Sequence, residues 1–163
     1  MTWKTFRRWS AAAFVVGLAA GALWWSITDT ATFTITRDGA DIGDAETRRQ
    51  FGAIVNFVFV GAGVCSLMGL AVAFLSDVSW PAIPAVALMS GQSAVLAWLI
   101  GGLLGPDEPT LRGPVGSTLH DSLGVDAIAP FVAWAVFGVA GVLLGIWLFE
   151  HEPNDARAAS DPQ

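Results

Sequence analysis

Charge is what this sequence has least of. Only 13% of its 163 residues are Asp, Glu, Lys or Arg, against a hydrophobic share of 54%. Soluble domains carry about a quarter charged residues, so an ordinary water-exposed surface is excluded over most of the chain. Lysine occurs once, as Lys4, beside seven arginines; with abundant Ala, Gly and Val this usage suits a high-GC bacterial genome. Cysteine also occurs once, at Cys65. That excludes an intrachain disulfide and the paired-thiol metal motifs. A net charge of −6 excludes an overall basic surface, and nucleic acid is not an expected partner. No catalytic or cofactor-binding motif stands out, so no catalytic residue, cofactor or metal ligand is assigned.

The few charges are segregated. Residues 9–27, 51–75, 81–104 and 127–149 contain none. Each run reaches or approaches the roughly 20 apolar residues that cross a bilayer. The remainder is too short for a separate soluble domain. The expected fold class is an all-α membrane protein: a four-transmembrane-helix bundle with a small extracytoplasmic β-hairpin cap. The chain reads as one membrane domain, 1–163, with helices near 9–27, 45–76, 81–104 and 126–150. Outer loops then cover 28–44 and 105–125, and a polar tail, 151–163, is expected to be disordered.

The first run follows Lys4, Arg7 and Arg8. A basic start, an apolar stretch and Ala20-Gly21-Ala22 also fit a cleavable signal peptide. The apolar character continues past that site, and Trp9 and Trp24-Trp25 bracket the run as interface anchors. We therefore read an uncleaved first helix, with Arg7-Arg8 as a charge anchor rather than a twin-arginine signal. Lys and Arg divide evenly between the two sides, but the first helix is flanked by basic residues alone. That sets both termini in the cytoplasm of a bacterial plasma membrane. The short inner connection at 76–80 implies that helices two and three pack as an antiparallel hairpin.

The first outer loop has local order. Ala31, Phe33 and Ile35 alternate with Thr32, Thr34 and Thr36, the pattern of a half-exposed strand. Asp38-Gly39 suits a tight turn, and 40–43 a short return strand. Asp44 stands at an N-cap position with Glu46 in the first turn. Arg48 and Arg49 mark the outer boundary. In the second outer loop, 117–123 reads as a helical turn capped by Ser117. His120, Asp121 and Asp126, with Asp107 or Glu108, lack the spacing of a metal site. His151 between Glu150 and Glu152 marks a membrane boundary. The candidate partner surface is Arg37, Asp38, Asp41, Asp44, Glu46, Arg48, Arg49, Arg112, His120 and Asp121.

Small residues recur every four positions inside the spans: Ala13, Gly17 and Gly21; Gly61, Cys65, Gly69 and Ala73; Gly101 and Gly105; Gly141 and Gly145. Such rows let helix backbones approach closely in lipid. They are read as packing faces within the chain, with Cys65 as a small packing residue. Pro81 and Pro84 fit the first turn of the third helix, and Pro130 shifts or kinks the start of the fourth. The polar residues at membrane depth are Asn56, Ser66, Ser90, Gln92 and Ser93, expected to turn inward as interhelical hydrogen-bonding groups. No ionisable residue lies among them, which weighs against ion-coupled transport.

The four-span plan resembles tetraspanins and claudins, which share inside termini and, in claudins, β-structure in the first outer loop. The marker outer-loop cysteines of both families are missing here. The segment ITRDGADIGDAETRRQFGAIVNFVFVGAGV, with its acidic stretch ending at Phe51-Gly52, resembles uncharacterised actinobacterial four-span membrane proteins of unknown function. That resemblance implies no activity, cofactor or catalytic residue. The functional expectation is a non-enzymatic integral membrane accessory or scaffold protein of a bacterial cell-envelope or membrane complex. Its partners would be the lipid bilayer and a membrane or envelope protein. The alternatives are a small oligomeric channel or transporter lined by Asn56, Ser90, Gln92 and Ser93, or a membrane enzyme acting on a lipid-linked substrate through outer-loop residues such as His120 and Asp121.

Overall fold

In a computed structural model, described here for residues 3–30, 32–36, 39–41, 44–76, 82–106, 114, 116–120 and 122–150, four long helices dominate the described residues. They are α1 (Trp3–Ile27), α2 (Asp44–Leu75), α3 (Ala82–Leu104) and α4 (Ala129–Glu150). All four are long and apolar enough to cross a membrane. Three short strands, β1 (Thr32–Thr36), β2 (Gly39–Asp41) and β3 (Thr118–His120), join in antiparallel order β2-β1-β3. The tail 151–163 and Pro81 lie outside the described residues.

Helix starts follow local chemistry. α1 begins at Trp3, so Lys4, Arg7 and Arg8 are part of the helix rather than a leader to it. α4 begins at Ala129, and Pro130 sits in its first turn, where a missing N–H removes no helical bond. The N–H groups of Phe131 and Val132 both donate to Ile128 O at that end. Pro84 occupies the first turn of α3 in the same way.

The helices pack in the ring order α1-α3-α4-α2. The two tightest pairs are parallel and not consecutive. α1 lies along α3: a Cβ placed on Gly17 would stand 2.9 Å from Ser93 Cα, and one on Gly21 would stand 2.6 Å from Ala97 O. α2 lies along α4: a Cβ on Gly69 would collide with Gly138 O, and one on Gly141 with Ser66 O. A Cβ on Gly145 would strike Ala73. The hairpin packing expected of α2 and α3 is not formed, and the two barely touch. The reason is the glycine rows, which turn α2 toward α4 and α3 toward α1.

Two interior clusters fill the ring. One holds Trp24, Phe57 and Trp134 with Ala53, Cys65, Ala94 and Ala97. The other holds Ala13, Met68, Val72, Val86, Met89 and Val142. Phe57 lies between the indoles, 5.0 Å from Trp24 and 4.9 Å from Trp134 between ring centroids. Each indole lies over a glycine of another helix, Trp24 over Gly101 and Trp134 over Gly61. Trp24 is therefore a core residue and not the interface anchor that its place at the helix end suggested; Trp25 beside it is exposed.

Gly63 provides the control for these close approaches, since a Cβ there meets nothing within 4 Å. Gly69→Ala should destabilise the bundle by about 1–3 kcal/mol, because the atom it meets is backbone and yields little. Gly63→Ala should be neutral or stabilising by up to about 1 kcal/mol through helix propensity. Thermal unfolding of the two variants in one detergent separates these outcomes.

Candidate partner-binding face

The end of the bundle where α1 stops and α2 starts carries the sheet. Thr34 pairs with Asp41, Ile35 with Ala40 and Thr36 with Gly39. Gly39 is thus the first residue of β2 rather than part of the turn. On the other side, Thr32 pairs with His120 and Thr34 with Thr118. Where a helical turn was expected over 117–123, Thr118–His120 form a strand and 122–123 are irregular. A two-stranded hairpin is marginal alone, and a third strand is what makes so small a sheet persist. β3 also ties the chain between α3 and α4 to the chain between α1 and α2.

Residues 122–126 continue from β3 toward the bundle. Leu123 and Val125 are buried and join the cluster around Trp24, Phe57 and Trp134. Gly105 makes room for this descent: a Cβ on it would stand 2.9 Å from Leu123 Cβ. It serves a loop contact, unlike its neighbour Gly101. Sequence periodicity missed Leu123 and Val125, since two apolar residues in a Gly- and Asp-containing loop carry no repeat.

Beside this descent lies a notch of about 60 Å³ lined by Asp29, Thr30, Arg49, Gln50, Ala53, Ser122, Leu123, Gly124 and Asp126. Ligand pockets run to about 300–1,000 Å³, so the notch holds a few waters or a small ion and not an organic substrate. Among the described residues no three His, Cys, Asp or Glu side chains converge as a metal site would require. Of the candidate partner surface, Arg48 and Arg49 are exposed at the start of α2. Asp41 belongs to β2, His120 to β3, and Asp44 and Glu46 to the first turn of α2. Arg37, Asp38, Asp107, Glu108, Arg112 and Asp121 lie outside the described residues.

The intramembrane polar residues disperse. Asn56 Nδ2 lies 3.4 Å from both Ile27 O and Thr28 Oγ1, at the sheet end of the bundle. Ser66 Oγ donates to Phe137 O and Ser93 Oγ to Ala13 O, linking α2 to α4 and α3 to α1. The indole N–H groups add Trp24 to Ala53 O at 2.8 Å and Trp134 to Phe57 O at 3.1 Å. Ser90 is fully buried beside the Cys65 thiol, and its Oγ has no nitrogen or oxygen partner among the described residues. Gln92, expected to turn inward, is exposed. Inward-facing glycine and serine define the buried side of α3, and Gln92 falls on the other. Asn56, Ser90, Gln92 and Ser93 therefore share no common lining.

In comparisons with known proteins, no family matches the sequence, and neither a curated protein nor a solved structure does.

The geometry makes Leu123 the anchor of the segment below β3. Leu123→Ala should cost about 2 kcal/mol or more. Hydrogen exchange at Thr118–His120 and at β1 should rise more than exchange within α2 and α4.

Proposed function

We propose that this chain is a non-enzymatic accessory or scaffold subunit of a bacterial cell-envelope or membrane complex, docking through the face that carries the sheet. The observation that carries this reading is the segment 122–126. Leu123 and Val125 seat it over the aromatic cluster, while β3 joins it to β1. The three strands and residues 122–126 thereby become one plate fixed to the helices. A fixed plate suits holding a partner: the notch beside it is too small for a lipid-linked substrate, and the groove of about 350 Å³ on the other side of 122–126 is lined by that segment and by α3 residues Trp98, Leu99, Gly102 and Leu103. A pore along the bundle axis finds no support either, since Trp24, Phe57 and Trp134 fill that axis.

The plate is acidic. The connections between α1 and α2 and between α3 and α4 contain, with the first residues of α2, nine Asp and Glu against four Arg. A basic patch on an envelope protein is the complementary surface. The opposite end starts with exposed Lys4, Arg7 and Arg8 on α1. The first helix is flanked at this end by basic residues alone, and on that ground this end faces inward and the sheet faces outward as an extracytoplasmic cap.

Two measurements test the reading. Ser122→Cys should react with a membrane-impermeant maleimide added outside intact cells, while Lys4→Cys should react only after permeabilisation. Cys65 is buried and gives little background. Reversed labelling would overturn the orientation. A photo-crosslinker at Arg48 should give an adduct with a different envelope protein. Its yield should fall in high salt and in Asp29→Asn/Asp126→Asn, as screened attraction requires. Adducts only between copies of this chain, or a yield indifferent to salt and charge, would overturn it.

A further inference from the structure

Gln92 lies near the middle of α3, with Leu88, Val95 and Leu99 on the same exposed face. The steps of four, three and four residues are those of the seam between two parallel helices, with one polar position among apolar ones. The Gln92 carboxamide forms no hydrogen bond with any described residue. Beside it, Gly91 has open space around its Cβ position, and Ala87 is small. Leu88, Gln92 and Val95 line, with Gly91, Phe14 and Val132, a shallow groove of about 760 Å³ between α1, α3 and α4, and Leu99 extends the stripe beyond it.

The depth decides what covers this stripe. Hydrocarbon offers no donor or acceptor, so an acyl chain in the groove leaves the carboxamide unsatisfied. A soluble partner does not reach the bilayer interior. The occupant is a membrane-spanning helix with a donor and an acceptor at the depth of Gln92. A carboxamide is both, and so complements itself. Around a two-fold axis normal to the membrane each residue meets its own equivalent at its own depth. We infer that Leu88, Gln92, Val95 and Leu99 form an interface between two copies of this chain, closed by reciprocal Gln92–Gln92 hydrogen bonds. The glycine rows of all four helices are consumed inside one chain, so this seam is independent of them. It is also independent of the outward face and leaves it free for another protein.

The test uses the full chain in membranes. Leu88→Cys and Val95→Cys should each give disulfide-linked dimers on mild oxidation. Leu67→Cys, on the lipid side of α2, and the wild type, whose Cys65 is buried, should not. Energy transfer between labelled copies in phosphatidylethanolamine–phosphatidylglycerol vesicles should show association across a dilution series in lipid. Gln92→Leu should weaken it about tenfold, the scale of two interhelical hydrogen bonds in lipid, and Gln92→Asn less so. Thermal unfolding of both variants should match the wild type at high dilution, since the side chain has no partner within its own chain. The inference is overturned if the wild type stays monomeric at every dilution. Unchanged association of Gln92→Leu, or crosslinking of Leu67→Cys as efficient as that of Leu88→Cys, overturns it equally.

Discussion

Everything in this bundle depends on how closely backbone can approach backbone. In water, helices associate because their apolar faces leave the solvent. In hydrocarbon that drive is missing, and contact itself must hold them together. Gly17 and Gly21 bring α1 onto Ser93 and Ala97 of α3, and Gly69 and Gly141 bring α2 onto α4. These contacts run between parallel, non-consecutive helices, so the connection from α2 to α3 crosses the ring while the other two follow its edge. The short link between α2 and α3 is thus a link between two pairs.

Close approach leaves gaps at the sheet end of the bundle, and the two large indoles fill them. Trp24 and Trp134 each lie over a glycine of another helix and donate to a carbonyl of α2. The accepting residues, Ala53 and Phe57, are one helical turn apart, so α2 receives α1 and α4 on successive turns. Phe57 stands between the two rings. At the other end the same role falls to smaller side chains, Val72, Val86, Met89 and Val142, with bonds from Trp9 Nε1 to Ser76 Oγ and from Ser93 Oγ to Ala13 O. The aromatic end is the one that supports the sheet, through Leu123 and Val125.

The spans were legible because charge cannot hide in lipid: four charge-free runs of the right length leave little choice. The small-residue rows were legible for a related reason, although which helix each row meets was not. Pairing is a property of two rows at once, and the short inner link pointed to the wrong pair. Trp24 was misplaced because its position at a helix end is shared by anchors and core residues alike; only the glycine at position 101 of a distant segment distinguishes them. Leu123 and β3 were hidden because a strand of three residues has too few side chains to display a period. Gln92 was assigned inward by a rule that holds when a chain satisfies its own polar groups.

That last exception separates the molecule's surfaces by chemistry. Ser66, Ser93, Trp24 and Trp134 bond within the chain and fix the arrangement of α1 to α4. The sheet and the loop below it present charge to water, where an ionic partner can be gained and lost with modest energy. Gln92 presents an amide to a solvent that offers no hydrogen bonds, where leaving a partner is costly. Of the two contacts proposed, one through the stripe on α3 would therefore be durable and one through the acidic plate exchangeable.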